Sequence, residues 1–195
     1  MFNNMLPRWL KLYGVIGILP VYFGSLLTLH DKQTLVSIPT ELGLMYGHYY
    51  FFHKFLHAFP NSRLNLHVQI HHDKRYGLNR HLELFIDFLF EMLCFCVLPL
   101  LAQTYTNIWI CCPTIVFMIS LTMTFGHIIN YSYLGPNFIH KAHHLDTSVH
   151  YGPDFMDHLY GTAIRDHEDG NIHISSILMA TCVVLLAKLY FKWKD

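Results

Sequence analysis

Two histidine-rich blocks, separated by a hairpin of apolar residues, constrain the fold of this 195-residue chain more than any other feature. The second block contains the pattern H-x-x-H-H at His140, His143 and His144. Residues three and four positions apart share one face of a helix, so these three rings can point to one place. Neutral imidazoles bind iron, zinc and copper, and three protein ligands can leave a coordination position open for chemistry. The spacing therefore predicts a metal site.

Similar spacing occurs in the first block. His53 and His57 are four residues apart, and His67 is followed one turn later by the pair His71 and His72. A lone histidine near an apolar face is more often a hydrogen-bonded core residue than a ligand, but spaced groups at the ends of membrane helices are costly unless they serve a site. The candidate ligands are His48, His53, His57, His67, His71, His72, His127, His140, His143 and His144. These are too many for one ion, so two ions sharing the set is the simplest interpretation.

The composition indicates a membrane protein. Hydrophobic residues make up 53% of the chain and charged residues only 13%, about half the charged share of a typical soluble domain. The formal net charge of zero gives no basic surface for nucleic acid. The five cysteines all lie in apolar stretches, where small buried side chains are more common than disulfides or thiolate ligands.

Several apolar stretches are close to the ~20 residues that cross a bilayer. They are Leu12–Leu29, Leu35 to about Leu56, Leu82–Ala102, Ile108–Phe125 and Ile174–Phe191. They predict one all-α domain, residues 1–195: an integral membrane helical bundle of four to five transmembrane helices. The histidine-rich segments, about 48–81 and 127–173, would form a cap. The first stretch lacks a signal-peptide cleavage site and is interpreted as an uncleaved helix. Whether the last stretch spans is left open, because Lys192 and Lys194 would end on the wrong side.

The order of the apolar stretches predicts that both histidine-rich blocks lie on one side of the membrane, because the third and fourth stretches cross it twice between them. Most lysines and arginines outside the apolar stretches flank or lie in these blocks. By the positive-inside rule, the metal site should face the cytosol. The sequon at Asn130-Tyr131-Ser132 is then expected to be unglycosylated.

The histidine groups also follow one another in a recognisable order. They read H-K-F-L-H at His53–His57, H-V-Q-I-H-H at His67–His72 and H-K-A-H-H at His140–His144, followed by H-Y-G-P-D-F-M-D-H-L-Y-G-T at His150–Thr162. This ordered set resembles the fatty acid hydroxylase/sterol desaturase superfamily, integral membrane non-haem di-iron oxidoreductases. The resemblance runs from about residue 47 to 162. It implies that the ten candidate histidines lie at or close to metal-ligand positions.

The resemblance implies further site residues. Additional ligands, or residues that support ligands, are His81, Tyr131, His150 and Asp157. His150 stands where the family usually has Asn, and Asp157, Gly161 and Thr162 match a closing signature that resembles a structural lock beneath the site. Candidates to accept hydrogen bonds from the rings are Glu83, Asp87, Asp146, Asp154 and Asp157. For Glu83 and Asp87, a purely local role near the helix end is equally open.

The activity implied by the resemblance is O2-dependent hydroxylation or desaturation of a lipid: a fatty acyl, sphingolipid or sterol substrate. Two iron ions would be the cofactors, with zinc as a substitute and O2 as co-substrate. We expect an endoplasmic reticulum membrane location and a separate electron donor such as cytochrome b5 and its reductase. One alternative is a membrane zinc-dependent hydrolase, although no H-E-x-x-H occurs. Another is a non-enzymatic metal-binding or transport protein, although ligands at helix ends do not form a mid-membrane path.

Overall fold

The computed structural model describes residues 37–134 and 138–164, together with the C-terminal positions 181–183, 185–186 and 189. All regular elements within these ranges are helical, which confirms the all-α prediction for the described part of the chain. The apolar stretch Leu12–Leu29 lies outside the described residues, as does most of Ile174–Phe191.

The α-helices are α1 (Ser37–Ala58), α2 (Arg80–Met92), α3 (Leu98–Thr106), α4 (Pro113–Thr124), α5 (Phe138–Leu145) and α6 (Asp154–Tyr160). π-Helical segments occur at His67–His72, Leu93–Val97 and Phe125–Leu134. The side chain of Asn79 caps α2 by accepting a hydrogen bond from the backbone N–H of Leu82, at 2.9 Å. Asn107 ends α3 in the left-handed conformation, and Pro113 occupies the first turn of α4, where its missing N–H is not needed.

One continuous helix is long and apolar enough to cross a membrane among the described residues. It runs over Arg80–Thr106 and joins α2 and α3 through the intervening π-helical segment. A shorter apolar helix, Pro113–Ile129, follows it. Length and composition therefore support one crossing, and the bundle of four to five spans stays a prediction.

The core of the bundle lies between α1, α4 and the π-helical segment that follows α2. Ile38, Leu42, Ile115 and Val116 are each at most 2% exposed and belong to one apolar cluster. Cys94, Cys96 and Cys111 are buried in the same cluster as free thiols, as the sequence predicts; Cys112 is half-buried and Cys182 is exposed. At the end of the bundle remote from the histidines, buried Glu41 accepts a hydrogen bond from the N–H of Cys112 at 2.7 Å, which holds α1 against the start of α4.

The opposite end of the bundle brings the two histidine-rich blocks together. The C-terminal end of α1 and the segment His67–His72 supply the first block. The π-helical continuation of α4 and the short helix α5 supply the second. The α2–α4 hairpin that separates the blocks in sequence returns the chain to the same end of the bundle, as the order of apolar stretches predicts.

Candidate metal centre

Nine of the ten predicted ligands converge in overlapping sets, which we divide into two sites. One further set, consisting of His67, Asp87, Glu91 and His127, joins the two sites through carboxylates of α2. Site A consists of His53, His57, His67, His72 and His143, and one nitrogen of each ring lies within 4.8 Å of the others. Site B consists of His71, His127, His140 and His144: His71 forms one set with His127 and His140, and another with His144 and His72. His72 belongs to one of those sets as well, together with His71 and His144, so it lies between the two sites.

Site A joins α1 to both histidine-rich blocks. His53 and His57 lie one turn apart on α1, so their rings share a face, and their Nε2 atoms are 3.1 Å apart. The Nε2 atom of His67 lies 3.0 Å from that of His53. From α5, the Nε2 atom of His143 reaches within 3.1 Å of that of His57.

Site B is centred on His71. His140 and His144 lie one turn apart on α5, with their Nε2 atoms 3.0 Å apart. The Nε2 atom of His71 lies 3.2 Å from that of His140 and 3.0 Å from that of His144. The ring of His127 packs 4.6 Å from that of His71 and 4.7 Å from that of His140, measured between centroids. His71 and His127 both lie in π-helical segments, which are frequent at functional sites.

Backbone carbonyls orient two rings of site A. The Nδ1–H of His53 donates to the carbonyl oxygen of Tyr151 at 2.7 Å. The Nδ1–H of His143 donates to the carbonyl oxygen of Val149 at 2.6 Å. These hydrogen bonds place the ring proton on Nδ1 and leave the lone pair on Nε2, the atom that faces the other rings.

Two buried carboxylates on α2 orient rings of both sites. Asp87 accepts from the Nδ1–H of His67 at 3.0 Å, and its second oxygen lies 3.0 Å from Nδ1 of His71. Glu91 accepts from the Nδ1–H of His127. The structure thus places Asp87 where the sequence predicts an acceptor. Sequence reasoning missed Glu91, although its i,i+4 spacing from Asp87 puts both carboxylates on one face of α2 and was the available signal.

The Nε2 atoms in site A have too few protons to hydrogen-bond one another at every contact. His53, His67 and His143 carry their protons on Nδ1, and a neutral His57 can supply only one proton for the contacts it makes at 3.1 Å. With metal–nitrogen bonds of about 2.0–2.1 Å, neighbouring ligands lie about 3.0 Å apart in an octahedral site and about 3.4 Å apart in a tetrahedral one. The observed separations therefore fit rings gathered around a cation.

Burial keeps these imidazoles neutral. Burial lowers the pKa of His143 and that of His144 to about 4. It also holds the pKa values of His67 and His71 well below the usual range, and neighbouring imidazoles lower them further. A neutral ring retains the lone pair that a metal needs, so the local environment favours coordination over protonation.

Four of the described histidine rings contain buried nitrogens without a hydrogen-bond partner. These atoms are both nitrogens of His72, Nε2 of His127, Nδ1 of His71 and Nδ1 of His150. Leaving a buried polar atom unpaired costs about 1–3 kcal/mol. A cation in each site would satisfy Nε2 of His127 and one nitrogen of His72, so the donor set fits two metal ions.

A buried carboxylate on α6 fixes the segment 149–152, whose carbonyls orient the site A rings. Asp157 accepts from the backbone N–H groups of Tyr151 and Gly152, both at 2.8 Å, and from the hydroxyl of Thr162 at 2.7 Å. Asp157 is fully buried and lies outside both groups of ligand atoms. It therefore acts at the site through the backbone, in the way expected of a structural lock.

The chain turns sharply after α6 to close this lock. Gly161 adopts a left-handed φ of 71°, which side chains with a Cβ rarely adopt. The turn brings the backbone N–H of Thr162 to the carbonyl of Asp157, at 2.8 Å. His150 lies in neither metal site: its backbone N–H donates to Thr162 at 3.0 Å, and its Nε2 accepts from the N–H of Ile164 at 2.6 Å.

Other predicted site residues lie away from the converging rings. The ring of His48 hydrogen-bonds through Nε2 to the carbonyl of Cys94, at 3.3 Å, and is in neither site. His81 is exposed at the start of α2 and is also in neither site. Glu83 forms an ion pair with Arg80 at 3.1 Å, so its role is local.

Asp146 lies outside the described site. Asp146 is exposed and closes a turn by accepting from the N–H and the hydroxyl of Ser148, at 2.9 and 2.6 Å. The side chains of Tyr131 and Asp154 lie outside the part of the chain that the structure describes.

A small cavity touches both metal sites. It measures about 40 Å³ and is lined by His53 and His143 of site A, by His127 and His140 of site B, and by Tyr49 among others. Since a water molecule occupies about 30 Å³ in the liquid, this cavity has room for a molecule of the size of water or O2.

A larger apolar cavity of about 440 Å³ lies between α1 and the Arg80–Thr106 helix. His48 and Phe52 line it on α1. Phe95 contacts a lining residue of each cavity. Its ring packs on Tyr49, which lines the small cavity, at 4.3 Å between centroids, and on Phe52, which lines the apolar cavity, at 5.8 Å.

No family model, no curated protein and no solved structure matches this chain. Its function is therefore inferred from the geometry of the two sites.

Proposed function

We propose that this protein is an O2-dependent di-iron oxidoreductase that hydroxylates or desaturates a lipid. The observation that carries the proposal is the pair of adjacent imidazole sites. Nε2 atoms of neighbouring rings lie 3.0–3.2 Å apart, and the Nδ1–H groups of His53, His67, His127 and His143 are held by oxygen acceptors. Such an arrangement is built to bind metal ions and not only to fill a core. Two neighbouring sites served by one small cavity suit chemistry on a small diatomic molecule.

Iron fits the donor set better than structural zinc. Site A offers five imidazoles, whereas structural zinc sites are almost always four-coordinate. Five ligands leave one open position on a six-coordinate ion. Iron, when bound, supplies the redox chemistry for attacking an unactivated C–H bond with O2, which zinc lacks.

The protein's own residues hold and shield this centre. The segment 149–152 and the α2 carboxylates fix the rings, so little reorganisation is needed around a bound ion. The small cavity holds about one small molecule, so little water fits beside the sites. A narrow space of this kind would limit side reactions of activated oxygen.

A lipid substrate fits the larger cavity. Its volume of about 440 Å³ is within the range of about 300–1,000 Å³ for ligand pockets. Its lining along one helix runs from Cys94 to Gln103, about 13 Å at 1.5 Å per residue. That helix is apolar enough to cross a membrane, so a lipid chain could enter from the bilayer.

The proposal includes a cellular setting. The protein would lie in the endoplasmic reticulum membrane with both sites facing the cytosol. The lysines and arginines of the two histidine-rich blocks favour this orientation. A separate electron donor such as cytochrome b5 with its reductase would supply two electrons per turnover.

The direct test measures iron and lipid oxidation in the same preparation. Purified protein should contain about two iron ions per chain and should oxidise a component of a membrane lipid extract when supplied with a reductant and ¹⁸O2. Hydroxylation would place ¹⁸O in the lipid, whereas desaturation would remove two hydrogens without adding oxygen. Zinc in place of iron, with no O2 consumption, would contradict the proposal and favour a hydrolase.

Matched histidine variants sharpen this test. His143→Ala removes a ring of site A and should abolish lipid oxidation and lower the iron content. His81→Ala makes the same chemical change at an exposed position outside both sites and should retain both. Equal activity in the two variants would contradict the assignment of site A.

A second pair of variants tests the apolar cavity. Ala102 lines this cavity, whereas the neighbouring Leu101 is 58% exposed and does not line it. Ala102→Phe should fill part of the cavity and lower the rate of lipid oxidation at unchanged iron content. Leu101→Phe should leave the rate unchanged. An unaffected rate in Ala102→Phe would remove this cavity from the proposal.

A further inference from the structure

Asp87 contacts one ring of each metal site. Its Oδ1 accepts a hydrogen bond from the Nδ1–H of His67, in site A, at 3.0 Å. Its Oδ2 lies 3.0 Å from Nδ1 of His71, in site B, and this close contact is not aligned as a hydrogen bond. The carboxylate is fully buried, and both rings are at most 1% exposed. A single carboxylate therefore spans the two sites on the side of the rings that faces away from the converging Nε2 atoms.

The two rings are arranged so that one carboxylate can serve both. His67 and His71 are four residues apart in the π-helical segment, and their planes are nearly parallel, 19° apart with centroids at 5.3 Å. The Nε2 atom of His67 faces His53 in site A, and that of His71 faces His144 in site B. His67 therefore connects Oδ1 of Asp87 to site A, and His71 connects Oδ2 to site B.

We propose that Asp87 is a positioning residue that couples the two sites, so that the two metal ions bind cooperatively. When Nε2 of His67 binds an ion, its Nδ1–H becomes a stronger donor and holds Asp87 more firmly. Oδ2 of Asp87 is then already held beside Nδ1 of His71. Part of the entropy cost of ordering the His71 ring at site B has therefore been met before the second ion binds. By linkage, an occupied site B favours site A to the same degree. This inference depends on the metal centre of the proposed function.

The other acidic residues of α2 do not span the sites in this way. Glu91 bonds to His127 in site B, and its nearer oxygen is 3.9 Å from Nδ1 of His67, beyond hydrogen-bond distance. Glu83 pairs with Arg80, which is partly exposed. Asp87 is therefore the residue to change, and Glu83 offers a matched control one turn earlier on the same helix.

The substitution Asp87→Asn tests whether Asp87 must contact both rings or only accept one hydrogen bond. In Asp87→Asn the side chain retains one acceptor oxygen, and its NH₂ group would face the Nδ1–H of the other ring. The variant can therefore orient His67 or His71, but not both. Asp87→Glu keeps two acceptor oxygens and serves as the conservative variant.

The experiment follows how the ions leave protein that has been loaded anaerobically with Co²⁺. A chelator is added in steps, and the cobalt bound per chain is measured together with its visible absorption. In the unchanged protein and in Glu83→Gln, both ions should leave in one steep transition. In Asp87→Asn one ion should leave first, at a 10–100-fold lower chelator concentration, so that a species with one ion per chain accumulates. Asp87→Glu should restore the single transition.

Two results would overturn the inference: loss of both ions from Asp87→Asn in one transition like that of the unchanged protein, or two separate transitions in the unchanged protein itself. Circular dichroism of each variant separates loss of an ion from loss of the fold. If Asp87→Asn unfolds, Asp87→Glu decides, because two independent transitions in that folded variant also contradict the coupling. Cooperative binding of two ions without any lipid oxidation would contradict the proposed function alone.

Discussion

Site A and site B use the same kind of ligand but hold it in different ways. In site A, His53 and His143 donate to the backbone carbonyls of segment 149–152. In site B, His71 and His127 face carboxylates of α2. A carbonyl is a neutral dipole, whereas a carboxylate makes the ring behind it more basic and a stronger ligand. The two sites are therefore not equivalent, although the ligands of both are imidazoles.

This difference gives each site one support that the other lacks, in addition to Asp87, which contacts a ring of each. Site A depends on a loop that Asp157 fixes through backbone N–H groups. Site B depends on Glu91 of α2, which accepts from the Nδ1–H of His127. Damage to the loop should weaken site A first, and neutralising Glu91 should weaken site B first. The predictions below test this separation in order of decreasing effect.

The largest effect is expected for Asp157→Ala. The change leaves the N–H groups of Tyr151 and Gly152 and the hydroxyl of Thr162 without their buried acceptor, which should lower the free energy of unfolding by about 3 kcal/mol or more. Metal analysis should show that about one ion per chain is lost. Asp146→Ala, at an exposed turn, is the control and should change neither the thermal unfolding temperature nor the ion content.

The next effect is expected for Glu91→Gln. The amide can still accept from His127, but the negative charge behind that ring is gone, so the site B ion should bind about 10-fold more weakly or worse. Competition with a chelator measures this change, and Glu83→Gln is the matched control. Selective weakening of the site A ion would show that the assignment of supports to the two sites is wrong.

A smaller effect is expected for Gly161→Ala. An added Cβ would meet no atom within 4 Å, so only the left-handed backbone, at φ 71°, opposes the change. That conformation should lower the free energy of unfolding by about 1–2 kcal/mol. Thermal unfolding provides the measurement. An unchanged unfolding temperature would mean that the turn after α6 contributes little to the lock.

The smallest effect on the metal centre is expected for His48→Ala. His48 lines the apolar cavity and hydrogen-bonds to the carbonyl of Cys94, so its loss should leave both ions in place. His53→Ala, one and a half turns later on α1, should remove the site A ion. Loss of an ion from His48→Ala would return this residue to the ligand set.

Local periodicity explains which parts of the centre could be predicted from the sequence. The pairs His53 and His57, and His140 and His144, share a helical face whatever surrounds them. Helix formation and burial follow from the same apolar pattern. His48 does not lie on the face of α1 that His53 and His57 share, because it is five residues before His53. Its ring lines the apolar cavity instead, as the rotation of α1 about its axis places it there. The sequence alone does not determine that rotation, because it depends on packing against other helices.

By itself, the amino-acid sequence determined that this chain is helical in its described part and that its histidines fall into spaced groups, because both depend on contacts between near neighbours. Only the tertiary structure decided how the rings divide between two sites, which oxygens orient them and that Asp87 spans both. Each of those features joins residues far apart in the chain. His57 and His143, whose Nε2 atoms lie 3.1 Å apart, are 86 residues apart in sequence. Their meeting depends on the return of the α2–α4 hairpin and on the rotation of each helix about its axis, and residue spacing does not specify that rotation.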